Sequence, residues 1–111
     1  MILVLEDDNC VYVYRSAAEV ENQIEALDAD DVIRAAFDDD GGSYRIEWIK
    51  PNRISKGFFG YMRVAQNGRY RLVESGSHDI EALLEILRNA RAIFPESARE
   101  EVRKLQQRLE R

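Results

Sequence analysis

The chain predicts an α+β fold: a two-layer sandwich in which a mainly antiparallel sheet carries helices packed on one face, in the order ββαββββαα. Three observations predict it. Short runs alternate apolar and polar residues, as in Tyr44-Arg-Ile-Glu-Trp48, which is the mark of a strand with one wet face. Turn dipeptides of the Asp-Gly, Gly-Gly and Asn-Gly kind punctuate those runs. Elsewhere the apolar residues change to helical period, with serine caps ahead of them. At 111 residues the chain is one domain spanning 1–111. A chain of this size buries roughly two-thirds of the surface its unfolded form exposes, enough for a core without staples.

Residues 2–5 (Ile-Leu-Val-Leu) and 10–14 (Cys-Val-Tyr-Val-Tyr) read as short strands joined by the turn residues Asp7-Asp8-Asn9. Ser16-Ala-Ala-Glu19 has the spacing of a capping box and opens a helix. Val20, Ile24 and Leu27 give that helix one apolar stripe, and Asp28 to Asp31 end it. Val32 to Phe37 and Ser43 to Lys50 read as a hairpin around the turn at 38–42. Tyr44, Ile46 and Trp48 then face the core. Phe58 to Val64 and Arg69 to Glu74 read as a second hairpin around Asn67-Gly68. Ile80, Leu83, Leu84, Leu87, Arg91 and Phe94 recur at helical period until Pro95. A second capping box, Ser97-Ala-Arg-Glu100, opens a last helix striped by Ala98, Val102, Leu105 and Leu109.

Charge is sorted along the chain. Residues 1–44 carry twelve acidic and two basic side chains, residues 45–71 one acidic and seven basic, and residues 72–111 eight and seven, for a net of −5. Opposed fields of this kind bear on steering and partner choice rather than on fold. No apolar stretch approaches the ~18 residues of a membrane span. Met1 to Leu5 is followed at once by Glu6-Asp7-Asp8, which is the pattern of a strand and not of a signal peptide. The single cysteine, Cys10, lies in an apolar run. It fits a buried residue of a reducing compartment, and the expected location is the cytoplasm.

Chemistry is sparse. The acidic clusters lack the alternating oxygen ligands and terminal glutamate of a calcium loop, so no metal site is expected. His78 is the only histidine and has no second histidine or reactive cysteine near it in sequence, so no dyad or triad follows from spacing. Gly41-Gly42 sits between strands and opens no helix, so it is no phosphate loop. The expectation is a protein that is not an enzyme and holds no cofactor. Asp28, Asp30, Asp31, Asp38, Asp39 and Asp40 form the candidate partner-binding patch, provided that the acidic turns meet at one edge. Arg45, Arg63, Arg69 and Arg71, with Phe59 and Tyr61, form an alternative face. Arginine interleaved with aromatic rings is how open sheets hold single-stranded nucleic acid. The negative net charge and the strand order argue against that alternative. Val102, Leu105 and Leu109 offer a narrow stripe for a homodimer. A small-molecule site would lie between the sheet and the helix at 78–94, near Trp48 and Tyr70.

The run Tyr14-Arg-Ser-Ala-Ala-Glu-Val-Glu-Asn-Gln-Ile-Glu-Ala-Leu-Asp28, with Ile33-Arg-Ala-Ala-Phe-Asp38 and Tyr44-Arg-Ile-Glu-Trp48, resembles small bacterial immunity proteins of polymorphic and contact-dependent toxin systems. The likeness spans roughly residues 11–75 and lies in layout. It implies a cytosolic, non-enzymatic inhibitor of one cognate toxin and carries no site residue across. An acidic surface set against a basic, nuclease-like toxin would fit the charge sorting.

Overall fold

A computed structural model describes residues 1–56 and 63–111 of the chain. Among them are eight strands and four helices: β1 (Ile2–Glu6), β2 (Val11–Tyr14), α1 (Ala17–Gln23), α2 (Ala26–Val32), β3 (Ile33–Asp38), β4 (Gly42–Lys50), β5 (Arg53–Lys56), β6 (Arg63–Gln66), β7 (Arg69–His78), α3 (Ile80–Asn89), β8 (Ile93–Phe94) and α4 (Arg99–Leu109). A six-stranded sheet runs β7-β4-β3-β1-β2-β8, and β5 pairs with β6 in a separate ribbon. All pairings are antiparallel except β2 with β8. The expected α+β sandwich with a mainly antiparallel sheet is what forms.

Its helices, expected on one face, divide instead between the two faces of the sheet. Ile2 and Val4 of β1 and Ala36 of β3 join Val20, Ile24, Ala26 and Ala29 of α1 and α2. Leu3 and Phe37 join Leu83 and Leu87 of α3 and Val102 and Leu105 of α4 on the opposite face. Strand side chains alternate faces, so β1 feeds both cores. Val4 and Val11 are fully buried. The stripe offered as a homodimer surface is thereby used within the chain, with Val102 at 0% and Leu105 at 4% exposure and Leu109 packed against the same cluster. Those side chains are not free for a second copy.

The turn at residues 38–42 forms as expected. Asp38 accepts from the backbone N–H of Asp40 and of Gly42, both at 2.9 Å, and Gly41 takes φ 89°. The hairpin it closes is brief, because β3 and β4 pair only at Phe37 and Ser43. Beyond that point β4 leaves β3 and pairs along its length with β7, from Gly42 opposite His78 to Lys50 opposite Arg69. The ribbon continues into β5 and β6, from Arg53 opposite Gln66 to Lys56 opposite Arg63. At about 3.3 Å per residue, residues 42–56 reach up to ~50 Å. The molecule is accordingly long, 61 Å by 28 by 20 Å.

This ribbon corrects the expected second hairpin. Asn67-Gly68 is no turn but a crossing point within one long arm, and Phe58 to Met62 lie outside the described residues. A Cβ on Gly68 would stand 2.0 Å from the Lys50 carbonyl oxygen, so only glycine lets the two chains pass. The Gly68 N–H donates to Asn52 Oδ1 at 2.7 Å, and Asn52 Nδ2 donates to the Ala26 carbonyl at 2.7 Å. Asn67 Oδ1 accepts from the Leu27 N–H at 3.0 Å. The N-cap residue of α2, Glu25, makes no capping bond of its own, so Asn67, between β6 and β7, supplies that cap.

The single helix expected from Ser16 is two helices, and the aspartates Asp28, Asp30 and Asp31 lie within the second rather than ending the first. The Tyr70 hydroxyl donates to the Ile24 carbonyl at 2.7 Å and reaches the Val20 carbonyl at 3.3 Å, satisfying the end of α1. Glu21 of α1 accepts from the Leu72 N–H of β7 at 3.1 Å. Ser16 caps α1 as expected, through the Glu19 N–H at 3.2 Å. The Glu19 carboxylate bonds the Arg15 N–H instead of closing the box on Ser16. The expected box at Ser97 is absent: Ala98 stands at the N-cap of α4 without a side-chain bond, and Glu100 pairs with Arg103. Helix α3 ends at Asn89, whose side chain bonds the Glu85 carbonyl at 2.9 Å. Residues 93–94 then serve β2 as a parallel edge strand.

Three substitutions test these joints by urea unfolding. Asn67→Ala should lose about 1 kcal/mol, the worth of a helix cap. Tyr70→Phe should lose about 1–3 kcal/mol, because the Ile24 carbonyl loses its hydroxyl partner. Gly68→Ala should exceed both, since its Cβ meets backbone. Burial, and then the charge of Glu21, pushes the Tyr70 hydroxyl from 10.0 up to about 12. A raised value holds its full stabilisation below pH 10 and loses it as pH rises towards 12. The Tyr70→Phe penalty should therefore shrink across that window.

Candidate protein-binding surface

The acidic residues do not form one patch. Strand β3 separates them. Its Ile33 end lies opposite Glu6 and its Asp38 end opposite Ile2, and the strand spans ~17 Å by its rise per residue. Asp30 and Asp31 precede Ile33 by three and two residues, and α2 runs straight into β3, so α2 sits at the same end as the Glu6-Asp7-Asp8 turn. Asp38, Asp39 and Asp40 sit at the other end.

The Asp38 end is committed to structure. The Asp38 carboxylate caps the turn, Asp39 lies 3.9 Å from the Met1 amino group, and Asp40 lies 3.9 Å from the Arg108 guanidinium. Arg108 also donates to the Asp39 carbonyl at 2.9 Å. The carboxylate oxygens of these three aspartates come within 4.8 Å of one another. Their backbone and ion-pair partners account for that gathering.

The Glu6 end is different. Asp7, Asp8, Asp28, Asp30 and Asp31 are exposed and Glu6 is half-buried. Helix α2 has only seven residues, carries no basic residue in its last turn, and places Asp30 and Asp31 there. A helix C-terminus is the negative end of the backbone dipole, so an acidic side chain there is unfavourable by about 0.3–1 kcal/mol. Burial pushes the Glu6 carboxyl above its ordinary 4.5. A hydrogen bond from Tyr14 opposes that rise, and the charges of Asp8 and Asp7 add to it. The Tyr14 hydroxyl donates to Glu6 at 3.1 Å and the Tyr12 hydroxyl to Asp8 at 2.6 Å. Tyr12 and the backbone N–H of Cys10 hold Asp8 below the usual carboxylate value. Arg34 reaches this end but bonds Asn9, at 3.2 Å, rather than a carboxylate.

The basic residues lie on the arm. Arg45 and Glu47 alternate with Tyr44, Ile46 and Trp48, which enter the core, and Arg71 stands opposite Glu47. Arg45, Arg69 and Arg71 are exposed, and Arg45 lies 3.5 Å from Glu47. The α3–α4 core takes its strand residues from β1, β2, β3 and β8, so among the described residues this outer face of β4 and β7 stays uncovered. Arg63 stands opposite Lys56 in the outer ribbon, and Phe59 and Tyr61 lie outside the described residues.

The pocket expected between the sheet and the helix at 78–94, near Trp48 and Tyr70, does not exist in that form. Trp48 and Tyr70 pack at 5.8 Å under α1, whereas α3 lies on the opposite face. Cys10 is buried, as its apolar setting predicts. The capping role of Asn67 was missed because Asn-Gly reads first as a turn. The groove beside Tyr12 and Phe94 was missed because β8 lies within the helical pattern of α3.

No protein-family model, characterised protein or solved structure matches this chain. No helix among the described residues is long and apolar enough to cross a membrane.

The unfavourable setting of Glu6 has a measurable consequence. Burial penalises its charged form, and that penalty is absent below the unfolded value of 4.5 and grows as pH rises above it. Glu6→Gln should therefore raise the Tm at pH 7 and leave it unchanged near pH 3, as read by calorimetry across pH.

Proposed function

We propose that this chain is a cytosolic, non-enzymatic protein-binding module of the bacterial immunity type, which neutralises a toxin domain by covering its basic surface with the Glu6–Asp8 turn and α2. The observation that carries the reading is the placement of charge against local stability. Asp30 and Asp31 lie at the wrong end of a helix dipole, and Glu6 ionises against burial. Residues that lower stability where they stand are expected at functional surfaces. A negative end of this kind accelerates encounter with a basic partner and selects it, more than it adds raw affinity. Within the six aspartates of the acidic set, the reading weights Asp28, Asp30 and Asp31 over Asp38, Asp39 and Asp40, which have structural partners.

The test is affinity purification of the tagged chain from its native cells, followed by co-expression with the captured protein. One dominant partner is expected, released by high salt and harmless to growth only when this chain is present. Changing Asp28, Asp30 and Asp31 together to Asn should weaken that complex at least tenfold, and changing Asp30 and Asp31 alone should raise the Tm. Unchanged affinity would rule out the acidic end as the contact surface.

The exposed Arg45, Arg69 and Arg71 on an uncovered ribbon favour one second reading, binding of single-stranded nucleic acid along the arm. Three phosphate contacts would give a slope of about −2 in log affinity against log salt. An oligonucleotide titration at low salt that shows no binding would remove this reading.

A further inference from the structure

Beside the acidic turn lies a cleft of about 670 Å³ between β2, β8 and the end of α1. Tyr12, Tyr14 and Phe94 give it aromatic walls, Glu6 and Glu19 give it carboxylates, and among the described residues its lining contains no cationic side chain. The Tyr12 and Phe94 rings stack with centroids 5.4 Å apart and planes at 30°. Phe94 is 38% exposed, one of the few large apolar side chains left open to solvent among the described residues. Both phenols donate their hydrogens to carboxylates, Tyr14 to Glu6 and Tyr12 to Asp8. Those bonds fix the rings and leave carboxylate lone pairs unused, since an ionised carboxylate accepts at about four sites.

Flat aromatic faces beside ionised carboxylates are complementary to a planar cation. We propose that this cleft receives an arginine side chain of the protein partner, stacked on the Tyr12 and Phe94 rings with its N–H groups on Glu6 or Glu19. Guanidinium fits better than ammonium because it stacks on rings and bonds a carboxylate in bidentate fashion. The proposal rests on the protein-binding reading and names where that partner would anchor. Asp28, Asp30 and Asp31 lie outside the cleft lining, so the two surfaces are tested separately.

The experiment is an NMR titration of the full chain with N-acetyl-arginine amide, and with N-acetyl-norleucine amide as the uncharged apolar control. Saturable shifts centred on the Tyr12, Tyr14 and Phe94 rings are expected with the arginine probe, and affinity at least fivefold weaker with norleucine. Glu6→Gln, which keeps the side-chain shape, and Phe94→Ala should each weaken the arginine probe at least fivefold, with the rest of the spectrum unchanged. Shifts that never saturate, or that spread equally over the exposed aspartates, would overturn the proposal. So would equal binding of the norleucine probe, which would make the cleft an apolar site. Any of these results leaves the growth-rescue test of the acidic end standing, and failure of that test alone leaves the arginine cleft standing.

Discussion

Strand β1 is the constraint on which everything else depends. It is paired on both edges, with β2 and β3, and it is buried on both faces, with Ile2 and Val4 in one core and Leu3 in the other. A strand so placed leaves no solvent face and fixes the register of its neighbours, since a slip of one residue would exchange the two cores. The hairpin to β2 then sets where Tyr12 and Tyr14 point, and the pairing with β3 sets which acidic cluster lies at which end. The placement of the acidic end follows from this register: Glu6 ends β1, and the residue opposite it, Ile33, follows α2 without a break.

Much of this was legible in the residues. The β1–β2 hairpin, the acidic turn at 38–42 and the inward set Tyr44, Ile46 and Trp48 follow from alternation and turn chemistry. The unbroken apolar run Ile2-Leu-Val-Leu5 differs from that alternation. Such runs signal a strand covered on both faces, and here they report helices on both sides of the sheet. What was not legible depends on contacts distant in sequence. Nothing near Ile24 ends α1 as firmly as the hydroxyl of Tyr70, which lies 46 residues away. Asn67-Gly68 has the composition of a hairpin turn, yet the arm's register is set by β4 against β7, and Gly68 answers a close approach by Lys50. Residues 90–94 keep helical apolar spacing but are drawn off to the edge of β2.

The candidate site divides in the same way. The signs and positions of the charges were plain, and so was the absence of familiar catalytic patterns. Whether the acidic turns meet was not, because that is decided by the length of β3. One strand of ordinary length carries Asp38 away from Asp31 and hands it to a structural task at the other end. The three aspartates there are held by backbone N–H groups, the Met1 amine and Arg108. On α2, Asp28 sits favourably in the first turn, whereas Asp30 and Asp31 in the last turn have no comparable account in the local structure.

Helix α2 is the least self-sufficient element of the fold. Seven residues are too few for a helix to persist in water, its N-cap residue contributes no bond, and its last turn carries charge of the wrong sign. Its stability comes from elsewhere: Ala26 and Ala29 are buried on the sheet, and Asn67 and Asn52 of the arm bond its first turn. The basic arm therefore caps the acidic helix through neutral amides. Amides meet these first-turn backbone groups without placing a counter-charge beside the aspartates of α2. The arm thus fixes the position of α2 and leaves its aspartates exposed.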